Sequence, residues 1–157
     1  MMLPDDPRLR DFYDLPGHIF RRAWQRQVAI LDREVGRFGI TGAQYVALAA
    51  IQIQPGMEQQ ELSAVIFYDA TNTGGIVKRL EAMGALRRQP SGRSRRGRAL
   101  YLTPEGEELV KQAAPAIARV SEAILANLEP EERTTVLALV SKAAGLTNSY
   151  YKGPPSK

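Results

Sequence analysis

The sequence has no cysteine and a single histidine, His18, in 157 residues. Without cysteine there is no disulfide, no thiol nucleophile, no thiolate metal site and no thiol oxidation switch. One histidine excludes a multi-histidine zinc site, and a Ser-His-Asp triad or a histidine base would have to use that one residue. No run of eighteen apolar residues occurs, so no membrane span is expected. The opening MMLPDDPRLRDF is acidic and polar where a signal peptide would be basic and then apolar. Hydrophobic residues make up 44% and charged residues 24%, ordinary values for a globular chain. What remains is a cytoplasmic protein of one domain that binds something, with no cofactor or metal implied.

The positive charge is concentrated. Arg87, Arg88, Arg93, Arg95, Arg96 and Arg98 fall within twelve residues that carry no acid. Elsewhere 15 basic residues face 17 acidic ones, so this segment supplies the whole positive balance. Arginine forks onto phosphate and guanine edges better than lysine does. The alternative is a solvated surface loop, although solvated faces usually mix signs.

Hydrophobic spacing predicts the elements. Residues 1–15, with Pro4 and Pro7, read as a flexible arm. From Pro16 to Phe38, Phe20, Trp24, Leu31, Val35 and Phe38 recur at helical spacing. Such a helix is roughly 33 Å long at about 1.5 Å per residue, long enough to suggest a second surface for another subunit. Gly39 breaks it, and Thr41-Gly-Ala-Gln44 reads as a capping box. The next helix is expected to bury Tyr45, Val46, Leu48, Ala49, Ala50 and Ile53. Pro55-Gly56 is a turn, and Met57 to Ile66 a short helix burying Leu62, Val65 and Ile66. Asp69 is a candidate N-cap for a helix from Ala70 to Met83, striped by Ile76, Val77, Leu80 and Met83 and ended by Gly84.

The period then changes from 3.6 to 2. Leu86 to Gln89 and Arg98 to Leu102 read as two strands joined by a basic turn. Thr103-Pro104-Glu105 starts a long helix reaching about Asn127, which Pro115 should bend. Pro130 opens a last helix with Val136, Leu137, Leu139 and Val140. The tail 147–157, with Gly153-Pro-Pro, is expected to be disordered. The order gives a mostly α protein with a winged helix-turn-helix core and a two-stranded β wing.

In a helix-turn-helix the second helix enters the major groove with its N-terminal residues at base edges. Here that end is Ala70-Thr71-Asn72-Thr73-Gly74-Gly75. Asn pairs with adenine, and Thr donates or meets a thymine methyl. Lys78 and Arg79 follow on the next turn and suit phosphates. Two helix-interior glycines cost about 1 kcal/mol each against alanine. Close approach of another backbone, DNA or the neighbouring helix, is what would offset that. Arg93, Arg95, Arg96 and Arg98 of the wing would reach the adjacent minor groove or its phosphates.

The runs ITGAQYVAL, QQELSAVIFYDATNTGGIVKRLEAMGAL and LYLTPEGEEL resemble the winged-helix core of the MarR family of bacterial transcription regulators. That stretch runs from Gly39 to Leu109, and with the flanking helices the resemblance covers about 16–146. It implies a homodimer on double-stranded DNA, usually a repressor released from a near-palindromic operator by a small ligand. In those terms 16–38 is an N-terminal dimerisation helix, 39–103 the DNA-binding lobe and 104–146 the C-terminal dimerisation helices. The family's recognition positions fall on Thr71, Asn72, Thr73, Gly75 and Lys78. Its wing commonly carries Asp-x-Arg. Here Arg96 takes the arginine position, Ser94 stands where the acid would be, and Ala70 stands where a basic residue is common.

A narrower resemblance rests on LPGHIFRRA (15–23) and TNTGGIVKRLE (71–81). These are similar to regulators of aromatic-acid catabolism, including repressors of nicotinate degradation. This implies a small aromatic acid effector, a hydroxylated benzoate or nicotinate, bound between the dimerisation helices and the DNA-binding lobe. His18, Arg21, Arg22, Tyr45, Phe67 and Tyr68 are the candidates to line such a pocket. The bland readings are a locally bonded histidine, solvated arginines and aromatic core packing.

Three other readings remain open. One is a DNA-binding activator or architectural protein without an effector. An enzyme would rely on His18 with Asp14, but no nucleophile, phosphate loop or metal cluster accompanies them. A membrane-surface binder would use the basic hairpin, which lacks the apolar face such binding needs.

Overall fold

The computed structural model describes residues 9–93 and 97–146. The expected tail at 147–157 and the wing residues Ser94, Arg95 and Arg96 lie outside them. The chain divides into two compact units, one running to Val120 and one from Ser121.

In the first unit, a helical turn α1 (Arg10–Tyr13) precedes the long α2 (Pro16–Gly36). The arm expected over 1–15 is therefore helical near its end. Pro16 occupies the first helical position, where its missing N–H is no loss. Helix α2 ends two residues sooner than the periodicity predicts, and Gly39 takes φ +73° in the turn beyond it. Thr41 and Gln44 then form the expected reciprocal cap of α3 (Gly42–Ile53), Thr41 Oγ1 accepting the Gln44 N–H and Gln44 Oε1 the Thr41 N–H.

Helix α4 (Gln59–Ile66) and helix α5 (Ala70–Ala82) form the helix-turn-helix. Met57, expected at the start of α4, instead lies in an extended turn. Its carbonyl accepts the Leu100 N–H at 2.9 Å, and the Gly56 N–H donates to Leu100 O at 2.8 Å. Glu58 makes an isolated bridge to Ala99. The hairpin β1 (Leu86–Pro90) and β2 (Arg98–Leu102) thus gains a third short partner that no local spacing announced. Its antiparallel register pairs Leu86 with Leu102, Arg88 with Leu100 and Pro90 with Arg98.

Leu48, Ile51, Met57, Leu62, Val77, Leu80, Leu100 and Val35 make the centre of the core. Of the α3 residues that spacing assigns to the core, Leu48 and Ala50 are buried and Tyr45 and Ala49 half-buried. Ala47, Leu48 and Ile51 point inward, while Val46 and Ile53 are exposed. Met83 and Val65 are exposed as well. An apolar triplet on a short helix fits two adjacent phases, and packing selects one of them.

Thr103 caps α6 (Pro104–Ile124), its Oγ1 accepting the Gly106 N–H at 3.1 Å and donating to Gly84 O at 2.6 Å. Pro115 sits inside this continuous helix, which ends three residues before Asn127. The second unit holds the end of α6 and α7 (Pro130–Ala143). There Arg133 pairs with Glu122 at 2.9 Å. None of the apolar residues of α7 is buried in the single chain; Leu137, Leu139 and Val140 are exposed. On α1 and α2, and at Leu15 between them, Phe12, Leu15, Ile19, Phe20 and Trp24 are likewise exposed.

Candidate nucleic-acid interface

Helix α5 presents one polar face. Thr71, Asn72, Gly75, Lys78 and Arg79 are exposed, while Thr73, Ile76, Val77 and Leu80 point into the core. Three- and four-residue spacing therefore places Thr71, Gly75, Lys78 and Arg79 along one stripe. Thr73 does not belong to it. The sequence reading put Thr73 among the base-contacting residues, but it is 0% exposed and its hydroxyl faces inward. A threonine enclosed at that phase cannot meet a base without unpacking the helix.

Asp69 caps α5. Its carboxylate accepts the Asn72 backbone N–H at 2.8 Å and also the Asn72 side-chain amide. These bonds, the backbone one first, hold the Asp69 carboxyl below its usual range. They also fix the orientation of Asn72, leaving its amide oxygen as the group not engaged by the cap.

The two glycines differ. A Cβ on Gly74 would meet Gln59 Nε2 at 3.2 Å, so the Gln59 side chain lies against that backbone. Gln59 also donates to Ala70 O at 3.4 Å, which ties α4 to the start of α5. Gly75 has nothing within 4 Å. The Gln59 side chain thus crowds Gly74, whereas Gly75 has bare, outward-facing backbone.

Half of the arginine-rich segment has local work. Arg88 pairs with Glu81 at 3.1 Å, and Arg87 stacks on the Tyr101 ring at 5.1 Å. Arg93 reaches back to α4, where Nη1 and Nη2 bond the two Glu61 carboxylate oxygens at 2.7 and 2.8 Å. Arg98 is exposed at the start of β2. Arg95 and Arg96 lie outside the described residues. The charge run thus overstates the charge free to meet DNA.

A separate cleft of about 230 Å³ lies where α2 meets α3 and the end of α4. Trp24, Gln27, Asp32, Thr41, Val46 and Tyr68 are among its lining residues. Of the six predicted effector residues, only Tyr68 lines it. His18 packs against Phe12 and Tyr13, at ring distances of 4.7 and 5.5 Å. Arg21 and Arg22 are exposed on α2. Tyr45 is half-buried, and burial lifts its phenol above the ordinary value. Phe67 is 81% exposed, at φ +56° in the helix-turn-helix turn. Sequence reasoning missed Trp24, Gln27 and Asp32 as lining residues. The signal available was that all three share a face of α2 with Val28 and Leu31.

The MarR family model matches residues 38–97. The repressor NicR of Pseudomonas putida is 30% identical over 139 residues, covering 88% of each chain. The chain belongs to the MarR family. The family member is similar in structure to Bordetella bronchiseptica BpsR, whose DNA binding is regulated by 6-hydroxynicotinic acid. That match has 30% identity and a TM-score of 0.76, covering 82% of this chain and 97% of BpsR. It is also similar to Streptomyces coelicolor PcaV in complex with its natural ligand, at 26% identity and TM-score 0.78 over 94% of this chain and all of PcaV. This MarR protein is accordingly a DNA-binding transcriptional regulator and not an enzyme. Among the described residues no helix is long and apolar enough to cross a membrane.

Proposed function

We propose that this MarR regulator is a homodimeric repressor, released from a near-palindromic operator by a small aromatic acid. The observation that carries the DNA half is the outward stripe of α5: Thr71, Asn72, Gly75, Lys78 and Arg79. Thr71 and Asn72 would read base edges, Lys78 and Arg79 would hold phosphates, and Arg95, Arg96 and Arg98 of the wing would reach the neighbouring groove. The uncovered apolar residues of α1, α2 and α7 support the dimer. In each unit, exposed Phe, Trp, Ile, Leu or Val residues gathered on a helix are the kind of surface that another protein covers.

The effector reading rests on the cleft beside Trp24, together with the regulation of BpsR by 6-hydroxynicotinic acid. At about 230 Å³ the cleft suits one ring. Drug-sized ligands occupy about 300–1,000 Å³. Trp24 offers a face for stacking, and Tyr68 and Gln27 offer hydrogen bonds. The cleft's own charged residue is acidic, Asp32. A carboxylate effector therefore needs a cation from nearby, and Arg21, one turn before Trp24 on α2, is the first candidate.

Affinity selection on fragments of the source genome, with a salt titration of the best fragment, tests this. Recovery of one palindromic fragment with steep salt dependence, released by a hydroxylated benzoate or nicotinate, is the expected result. Salt-sensitive binding without a preferred fragment would instead favour an architectural role. A flat response to the acids would remove the effector.

A further inference from the structure

The root of the wing is tied to the first helix of the helix-turn-helix by a small polar network. The Arg93 guanidinium straddles the Glu61 carboxylate with two parallel bonds of 2.7 and 2.8 Å. Its Nη2 also donates to Gly56 O at 2.9 Å. One residue pair away, the Ser91 hydroxyl donates to Glu58 Oε1 and accepts the Arg93 N–H at 3.2 Å. Glu61 in turn accepts the Glu58 N–H at 2.7 Å. Glu58, the cap of α4, and Glu61 within it thus hold Ser91 and Arg93, the residues on either side of Gly92.

Exposed single ion pairs contribute little, because long side chains lose entropy and water screens the charges. This one differs in geometry. It is bidentate, it shares its guanidinium with a backbone carbonyl, and a second acid engages the same short segment. Beyond the Pro90–Arg98 pair one backbone bond, from the Ser91 N–H to Gly97 O at 2.9 Å, also holds the segment, and it stops short of Arg93. An arginine whose charge already faces a carboxylate has little left for phosphate.

We infer that Arg93 is the fastener of the wing and not one of its DNA contacts, with Glu61 as the acid that holds it in place. The inference rests on the DNA-binding reading above for its consequence, though not for the fastening itself. Arg93 and Glu61 are both positioning residues. They fix where the chain leaves the hairpin at Arg93.

The test uses the full chain and the variants Glu61→Gln, Arg93→Gln and the double variant. Without DNA, amide hydrogen exchange should quicken at residues 91–93 in each variant, with the α5 amides of Ile76 and Val77 unchanged. Binding is then read on a random-sequence duplex of about 30 bp. Each single variant should weaken binding about three- to tenfold, a range set by one charge-assisted bidentate pair. The double variant should be no weaker than either single one. The salt slope should not move, because no phosphate contact is lost. A slope reduced by about one unit in Arg93→Gln, with tighter binding in Glu61→Gln, would overturn the inference: Arg93 would then touch phosphate and Glu61 would compete for it. Unchanged exchange at 91–93 would overturn it equally. If the unaltered chain bound no duplex at all, the DNA-binding reading would fail, and the exchange measurement would still decide the fastening.

Discussion

Asp32 on α2 accepts the Gly42 backbone N–H that opens α3, at 2.6 Å. The first turn of a helix has unpaired N–H groups and a positive dipole end, and a carboxylate there satisfies both. The same Asp32 lines the cleft proposed for the effector. One side chain therefore joins the long N-terminal helix, the start of α3 and that cleft.

Asp32→Ala should lower stability by about 1 kcal/mol, the usual worth of a lost helix cap. Urea unfolding measures it. Asp32→Asn should also tighten binding of a carboxylate effector, since an anion leaves the cleft. Weaker effector binding in Asp32→Asn would place the carboxylate elsewhere.

The glycine pair separates packing from recognition. Gly75→Ala meets open space and should stabilise the fold by about 0.4–1 kcal/mol. Its methyl group should nonetheless weaken operator binding if DNA approaches that backbone. A stabilised variant with undiminished operator affinity would show that Gly75 makes no such approach.

Thr73→Val tests the correction made by burial. The Thr73 hydroxyl is enclosed and finds no hydrogen-bond partner among the described residues. Replacing it with an isosteric methyl should be neutral or stabilising by up to about 1 kcal/mol, because an unpaired buried hydroxyl is costly. Operator specificity should not change. A loss of specificity without a loss of stability would return Thr73 to the DNA-contacting set.

Gly106→Ala should be severe. A Cβ there would lie 2.0 Å from Ala85 O, a backbone atom that cannot swing aside. The start of α6 would have to shift away from the hairpin, at a cost of about 2–3 kcal/mol typical of overpacking. Thermal melting of Gly106→Ala against a Gly84→Ala control, which meets no such wall but sits at φ +73°, distinguishes collision from backbone strain.

The wing should also show a pH signature. Arg93, above all through its side-chain bonds, and the Glu58 N–H hold the Glu61 carboxyl below its ordinary value of 4.5. A lowered value means the folded chain favours the charged form. The fastening is then complete above the ordinary carboxylate range and lost as pH falls through the lowered value. Exchange at residues 91–93, followed against Ile76 in α5, should stay slow at the pH where a free glutamate is half-protonated. Loosening already above that pH would contradict it.

Much of the fold was legible because its punctuation is local. Gly39 and Gly84 end helices with positive φ, and Thr41 with Gln44 caps one. Thr103-Pro104 starts another, and alternation over Arg98–Leu102 marks a strand. Each of these signals acts within a few residues. The rotational phase of α3 was legible only in part: Leu48 and Ala50 were expected inside and are buried, but Val46 and Ile53 are as apolar as Ile51 and are exposed. The cleft was legible only in part, since its walls come from α2, α3 and the end of α4, and only Tyr68 was named beforehand.

By itself the sequence determined the order of elements, the helix-turn-helix with its wing, and the polar N-terminal end of the second helix. Those follow from periodicity and capping, which are properties of neighbouring residues. Only the tertiary structure decided that Thr73 points inward while Thr71 points out, and that Asp32 closes the start of α3. It also decided that Arg93 spends its charge on Glu61, 32 residues away. Such pairings depend on which surfaces meet in space, and burial and long-range hydrogen bonding leave no mark in local spacing.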